Sequence, residues 1–143
     1  MTVASILTAK GRDVVTIGVA AKVHEAVALL AARRIGALVV MGEGARLAGI
    51  VSERDIVRAL ANGAATTLER PLAEIMTRAV VTCSENETID SVMSRMTRGR
   101  FRHLPVVTGG KLAGIISIGD VVKARIGQVE REAEEMRAYI ATA

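Results

Sequence analysis

Two short runs hold the residues best suited to chemistry, GIVSERDIV at 49–57 and GIISIGDVV at 114–122. Each sets a serine three positions ahead of an aspartate, Ser52 before Asp55 and Ser117 before Asp120. At a helix start this spacing makes a capping box. The serine accepts a bond from an otherwise free backbone N–H, and the acid favours the positive end of the helix. The same groups also suit a nucleoside phosphate. An ionised aspartate accepts bonds from both hydroxyls of a ribose diol, while serine, threonine and a helix N-terminus donate to phosphate oxygens. One copy alone reads as a cap. Three features raise the ligand account: the junction occurs twice, each copy has a threonine in its first strand (Thr16, Thr82), and cationic groups lie nearby in sequence (Lys10, Arg54, Arg100, Arg102, His103).

These junctions belong to a tandem repeat. GARLAGIVSERDIVRAL (44–60) and GGKLAGIISIGDVVKAR (109–125) are identical at nine of seventeen positions. Upstream, DVVTI (13–17) matches AVVTC (79–83), IGALVV (35–40) matches FRHLPV (101–106), and the lead-in ASILT (4–8) matches AEIMT (73–77). In the first copy VVTI is a β-branched run and reads as a strand. KVHEAVALLAARR sets Val23, Ala26, Val27, Leu30 and Ala31 at helical spacing. ALVV and LAGIVS are strands joined by the Gly-rich MGEGAR, a hairpin, and ERDIVRAL is a helix stopped by the Asn-Gly at 62–63.

The order strand–helix–strand–strand–helix is expected in both copies. Residues 1–63 form the first repeat, 64–71 a linker, 72–125 the second repeat, and 126–143 a C-terminal helical extension. Pro71 marks the start of a second lead-in helix. A three-stranded unit has two open edges and little core, so the expected fold is α/β (α+β), with the two repeats packed sheet to sheet. In the tail, Val122, Ile126, Val129, Ala133, Met136 and Ile140 recur at intervals of 4, 3, 4, 3, 4, a heptad seam. It either folds back on its own domain or zips to another subunit, and its length favours the second.

Half of the 143 residues are apolar, the only aromatics are Phe101 and Tyr139, and the formal net charge is +4. No apolar run approaches the roughly 18–20 residues needed to span a bilayer, and the start MTVASILTAKGRD lacks the pattern of a signal peptide. A soluble cytoplasmic protein is the expectation. Cys83 reads as a small buried hydrophobe. Cys83, His24 and His103 lack metal-like spacing, so no metal site is expected. GEGARLAG joins two strands with no helix after its glycines, so it is a hairpin turn and not a dinucleotide loop. Basic residues gather in RMTRGRFRH (95–103), but single-strand nucleic-acid binders usually need stacking aromatics.

With its two junctions and its element order, the chain resembles a tandem CBS domain pair, the regulatory module named after cystathionine β-synthase, over residues 1 to about 125. GIVSERDIV and GIISIGDVV are similar to the family's G-hydrophobic-x-S/T-x-x-D signature. HLPVV (103–107) is similar to its hydrophobic-Pro strand, whereas the first copy has ALVV without the proline. The resemblance implies a module that binds adenosine-containing ligands (AMP, ADP, ATP, NAD(H) or S-adenosylmethionine) in two clefts between the repeats. With no Ser–His–Asp set, Cys–His pair or paired carboxylates to place, a non-enzyme is the expectation.

Carried over, one cleft holds Thr16, Ala21, His103, Ser117 and Asp120, and the other Thr82, Glu87, Ser52, Arg54 and Asp55. The aspartates would grip ribose, serine and threonine phosphate or ribose, and Ile17 and Pro105 would wall the base. His103 stands where the other copy has Ala37, and Glu87 stands where it has Ala21, an acid less suited to a polyanion. Lys10, with Gly11, lies in a three-residue addition to the first lead-in and would cover a diphosphate, as in NAD(H). The resemblance also implies energy or redox sensing, an effector protein, and a homodimer packed through helices 23–34 and 53–61. A basic nucleic-acid-binding protein and a ligand-free scaffold are the alternatives.

Overall fold

The computed structural model describes residues 1–142. Helix α1 (Val3–Lys10) leads to β1 (Thr16–Gly18), α2 (Val23–Arg33), β2 (Ala37–Met41), β3 (Leu47–Ser52) and α3 (Glu53–Gly63). Two 3-10 segments, Ala64–Glu69 and Leu72–Glu74, come next. The second half then runs α4 (Ile89–Gly99), β4 (His103–Thr108), β5 (Lys111–Ser117) and α5 (Ile118–Thr142). The fold is mixed α and β, with two small sheets and, among the described residues, five α-helices. No helix among those residues is long and apolar enough to cross a membrane.

The chain divides into a continuous unit, Val14–Val81, and a split unit, Met1–Asp13 with the stretch from Thr82 onward. These units cut across the repeats, because the lead-ins are exchanged. In the split unit, the Val3 N–H donates to the Glu87 carbonyl (2.9 Å) and the Ile89 N–H to the Met1 carbonyl (3.2 Å), fixing α1 at the start of α4. In the continuous unit the second lead-in does the same at α2: the Leu72 N–H donates to the Ala21 carbonyl (2.8 Å) and the Val23 N–H to the Arg70 carbonyl (3.0 Å).

A glycine marks the seat of each lead-in. A Cβ on Gly114 of β5 would stand 2.7 Å from Leu7 Cδ2, and one on Gly49 of β3 would stand 2.7 Å from the Thr77 carbonyl oxygen. The glycine that opens each repeated run is thus a close-approach position, where any side chain would collide.

In the continuous unit β1 pairs parallel with β2, Thr16 opposite Val39, and β2 pairs antiparallel with β3, Ala37 opposite Ser52. The split unit has the same hairpin, β4 with β5, His103 opposite Ser117. Its turn, Gly109-Gly110, has φ of 58° and 78°, the primed geometry that two-residue hairpins require.

Two expectations need correction. The strand expected in AVVTC shrinks to one parallel bridge, Cys83 opposite Val106, because the chain then turns to α1, where the Ala4 N–H donates to the Glu85 carbonyl (3.0 Å). The helix expected after Pro71 is only a 3-10 turn. Its continuation runs extended, since the Thr77 N–H donates to the Ile50 carbonyl (2.9 Å) and the Ile50 N–H to the Thr77 carbonyl (3.0 Å).

Each unit buries its own aliphatic cluster. Val3 and Leu7 of α1 pack with Ile89, Leu104 and Ile116 in the split unit, and Leu30, Leu38 and Val51 pack with Leu72 in the continuous one. Cys83 is 4% exposed, and burial pushes its thiol up to about 11. It behaves as a core hydrophobe, protonated at neutral pH.

Candidate functional site

Each Ser-x-x-Asp run sits where the second strand of a hairpin, β3 or β5, becomes a helix, which puts its carboxylate at a helix N-terminus. In the split unit the Ser117 N–H donates to Asp120 Oδ2 (2.8 Å), and the Asp120 N–H donates to Ser117 Oγ (3.1 Å). That is the reciprocal capping box. Lys10, the last residue of α1, adds a third partner: its ammonium donates to the same Oδ2 at 2.7 Å and to the Ile115 carbonyl at 3.0 Å. Burial by itself would raise the Asp120 pKa, but the Lys10 ammonium and the Ser117 N–H outweigh it and hold the carboxyl below its ordinary value.

The continuous unit repeats the box with a different third partner. The Ser52 N–H (2.9 Å) and Ser52 hydroxyl (3.0 Å) both reach Asp55 Oδ2, and the Asp55 N–H donates to Ser52 Oγ (3.3 Å). The Thr77 hydroxyl stands 3.5 Å from Asp55 Oδ1, and the Thr77 N–H serves the Ile50 carbonyl. Thr77 therefore does with a hydroxyl and a peptide N–H what Lys10 does with an ammonium. The repeat alignment pairs Thr77 with Thr8, so it cannot reveal this equivalence. Lys10 reaches Asp120 only because α1 runs on past Thr8 before Gly11 closes it, its N–H donating to the Leu7 carbonyl (2.8 Å) with φ at 103°.

The remaining expected residues divide between the units. Lys10, His103, Ser117 and Asp120 gather in the split unit, His103 lying opposite Ser117 across the β4–β5 ladder. Pro105 is buried in β4, and its carbonyl accepts the Cys83 N–H (3.0 Å). Thr16, Ile17 and Ala21 belong to the continuous unit, with Ser52, Arg54 and Asp55. Thr16 is exposed at the start of β1, Ile17 is half-buried, and the Ala21 N–H donates to the Gly18 carbonyl (3.1 Å). Both expected residue sets thus draw on both units.

Arg95 has a role that sequence reasoning missed. One guanidinium nitrogen donates to Glu87 Oε1 at 2.5 Å and the other to the Thr82 carbonyl at 2.6 Å. The acid expected to disfavour a polyanion is therefore countered by a cation. Arg12 and the Thr108 hydroxyl likewise hold Glu85, at 2.5 and 2.7 Å. Residues as far apart in the chain as Arg12 and Glu85 give no local signal for such a pair. Among the described residues no three His, Cys, Asp or Glu side chains gather as a metal-binding group.

Known proteins share this fold. A family model described as CBS domain matches residues 3–62 and 72–127. The crystal structure of the CBS-domain containing protein ATU1752 from Agrobacterium tumefaciens is 50% identical with a TM-score of 0.85, covering 87% of this chain and 92% of that one. The CBS domain pair of protein MJ0100, solved in complex with 5′-methylthioadenosine and S-adenosyl-L-methionine, is 29% identical with a TM-score of 0.79, covering 90% and 98%. CBS domain protein PAE2072 from Pyrobaculum aerophilum, solved complexed with AMP, is 29% identical with a TM-score of 0.75, covering 84% and 89%. The chain spans 59% of the length of one curated relative and 21% of two others.

Proposed function

The chain belongs to the CBS domain family, carrying two repeats in tandem, and we propose that it is a regulatory module that binds an adenosine-containing ligand and passes its occupancy to a partner protein. The observation that carries this reading is the pair of strand-to-helix junctions, each presenting an aspartate at a helix N-terminus. Relatives of the same fold have been solved with AMP and with S-adenosyl-L-methionine, which supports an adenosine ligand. Asp55 and Asp120 take the ribose hydroxyls, and Ser52, Ser117, Thr16 and Thr82 serve ribose or phosphate. Ile17 in the continuous unit and Pro105 in the split unit each offer an apolar wall for a base. Around Asp120, Lys10 supplies positive charge and His103 a ring N–H donor for phosphate. Lys10 would exchange its bond to Asp120 for one to a phosphate oxygen when the ribose arrives. Glu87, balanced by Arg95, and Arg54 accompany the other aspartate.

The role is regulatory rather than catalytic. The Cys83 thiol, buried and protonated at neutral pH, is not a thiolate nucleophile. Linkage supplies the mechanism: a ligand that binds one arrangement of the module more tightly shifts the population toward it, and a partner that reads that arrangement responds. The module acts as a homodimer, which Val57 and Leu60, exposed on α3 at 65% and 37%, support. A ligand-free scaffold is the second reading, favoured by the capping boxes themselves, since both aspartates already have structural work.

A thermal-shift panel with AMP, ATP, NADH and S-adenosylmethionine separates the two readings. Ligand at about 100 times its Kd adds roughly 2.7 kcal/mol, a rise of roughly 2–4 °C per kcal/mol for a chain of this size. Asp55→Ala and Asp120→Ala should each lower the unliganded Tm through the lost cap and remove part of the ligand-induced rise. Lys10→Ala should weaken NADH more than AMP. If no compound shifts the parent, or both aspartate variants respond as it does, the reading fails and the scaffold stands.

A further inference from the structure

Helix α5 runs for 25 residues and outgrows the body that anchors it. Val121 packs into the core of the split unit, but every residue from Val129 to Thr142 is exposed. A helical stretch of that length is marginal in water without a packing surface. The apolar seam is uncovered within the chain: Val122, Ile126, Val129, Met136 and Ile140 are 42–67% exposed. So the tail does not fold back on its own domain.

Charges beside the seam identify the occupant. With Ile126, Ala133 and Ile140 at heptad position a and Val122, Val129 and Met136 at d, position e holds Lys123, Glu130 and Arg137, and position g holds Arg125, Glu132 and the uncharged Tyr139. In a parallel pair each g residue faces the e residue five places on in the partner. Two copies of this helix would then set Arg125 against Glu130 and Glu132 against Arg137, opposite charges at every such contact, each made twice. The antiparallel pair that aligns the same seam sets Glu130 against Glu130, Glu132 against Glu132 and Lys123 against Arg137, all like charges. Arg125 already pairs with Asp90 of its own chain at 3.5 Å, so Glu132 with Arg137 is the cleaner of the two contacts. We infer that α5 forms a parallel two-stranded coiled coil with α5 of a second copy of this chain. The inference is independent of the ligand.

Single-cysteine cross-linking reads the orientation directly. In a parallel pair Ile140 lies beside Ile140 and Val122 beside Val122. In the antiparallel pair each Ile140 faces Val122, and the two Ile140 positions stand about 27 Å apart at 1.5 Å per residue. Under oxidation, Ile140→Cys alone and Val122→Cys alone should each become mostly disulfide-linked dimer on a non-reducing gel. The parent, whose Cys83 is buried, should stay unlinked. Linkage only in a mixture of the two variants, or in neither, overturns the proposal, whatever dimer forms through α3. Charge reversal checks the pairing by sedimentation. Glu132→Arg should raise the dimer dissociation constant on the order of tenfold, and adding Arg137→Glu should restore it. A double variant no tighter than the single one, with helicity unchanged by circular dichroism, counts equally against the parallel coil.

Discussion

Asp120 shows how one carboxylate serves two ends. It accepts the Ser117 N–H that α5 would otherwise leave unpaired, and it accepts the Lys10 ammonium that ties α1 to the same corner. Lys10 and Asp120 are 34% and 24% exposed, so solvent screens the pair and its contribution is on the order of 1 kcal/mol. Its pH dependence has a definite sign. Because the folded pKa lies below the ordinary 3.8, the stabilisation is complete well above that value and is lost as pH falls through it toward the folded pKa. Urea unfolding between about pH 6 and pH 3 should show a shallower loss of stability for Lys10→Met than for the parent. Equal slopes would mean that Lys10 does not hold the carboxylate ionised. The serines and aspartates were legible in sequence, because capping and ribose binding both leave a Ser-x-x-Asp spacing. Their third partners were not, since Thr77 and Lys10 arrive from segments with no fixed spacing to the box.

At the scale of elements, the glycine that opens each repeated run sets how closely a lead-in can lie on its sheet. The two positions differ in what yields. A methyl group on Gly114 would meet Leu7 Cδ2, the movable tip of a side chain, whereas one on Gly49 would meet the Thr77 carbonyl, which is backbone. Overpacking typically costs about 1–3 kcal/mol. Gly49→Ala should fall at the upper end and Gly114→Ala at the lower, as chemical denaturation would measure. The reverse order would show that the Thr77 segment moves more freely than α1. Helix and hairpin positions were readable from periodicity and turn residues: the expected strand at 47–52 is β3 to the residue, and the Asn-Gly at 62–63 closes α3. The expected strand in AVVTC had the right composition but only one partner residue, Val106. Composition reports what a segment tolerates, and pairing depends on where its neighbour runs.

For the whole molecule, the exchange of lead-ins makes the first residues of the chain part of the second repeat's core. Val3, Ile6 and Leu7 are at most 6% exposed within the split unit. Burying each is worth about 1.5–3 kcal/mol, and the sum is comparable with the total stability of a typical domain, about 5–15 kcal/mol. Removing residues 1–13 should therefore strip hydrogen-exchange protection from α4, β4 and β5 while β2 and β3 keep theirs. Protection retained throughout would mean that α1 is dispensable to the core on which it packs.

By itself the sequence determined the duplication, the five-element order of the first copy, the aliphatic cores and the four residues of the two capping boxes. All of these follow from local spacing, which a chain carries wherever it folds. Tertiary structure alone decided that each lead-in completes the other repeat's unit, that Lys10 and Thr77 finish the boxes, that Arg95 neutralises Glu87, and that the seam of α5 stays uncovered. Those outcomes depend on which distant segments meet. The two copies are so alike near their junctions that either lead-in could, by composition, sit on either sheet, and only three-dimensional packing distinguishes them.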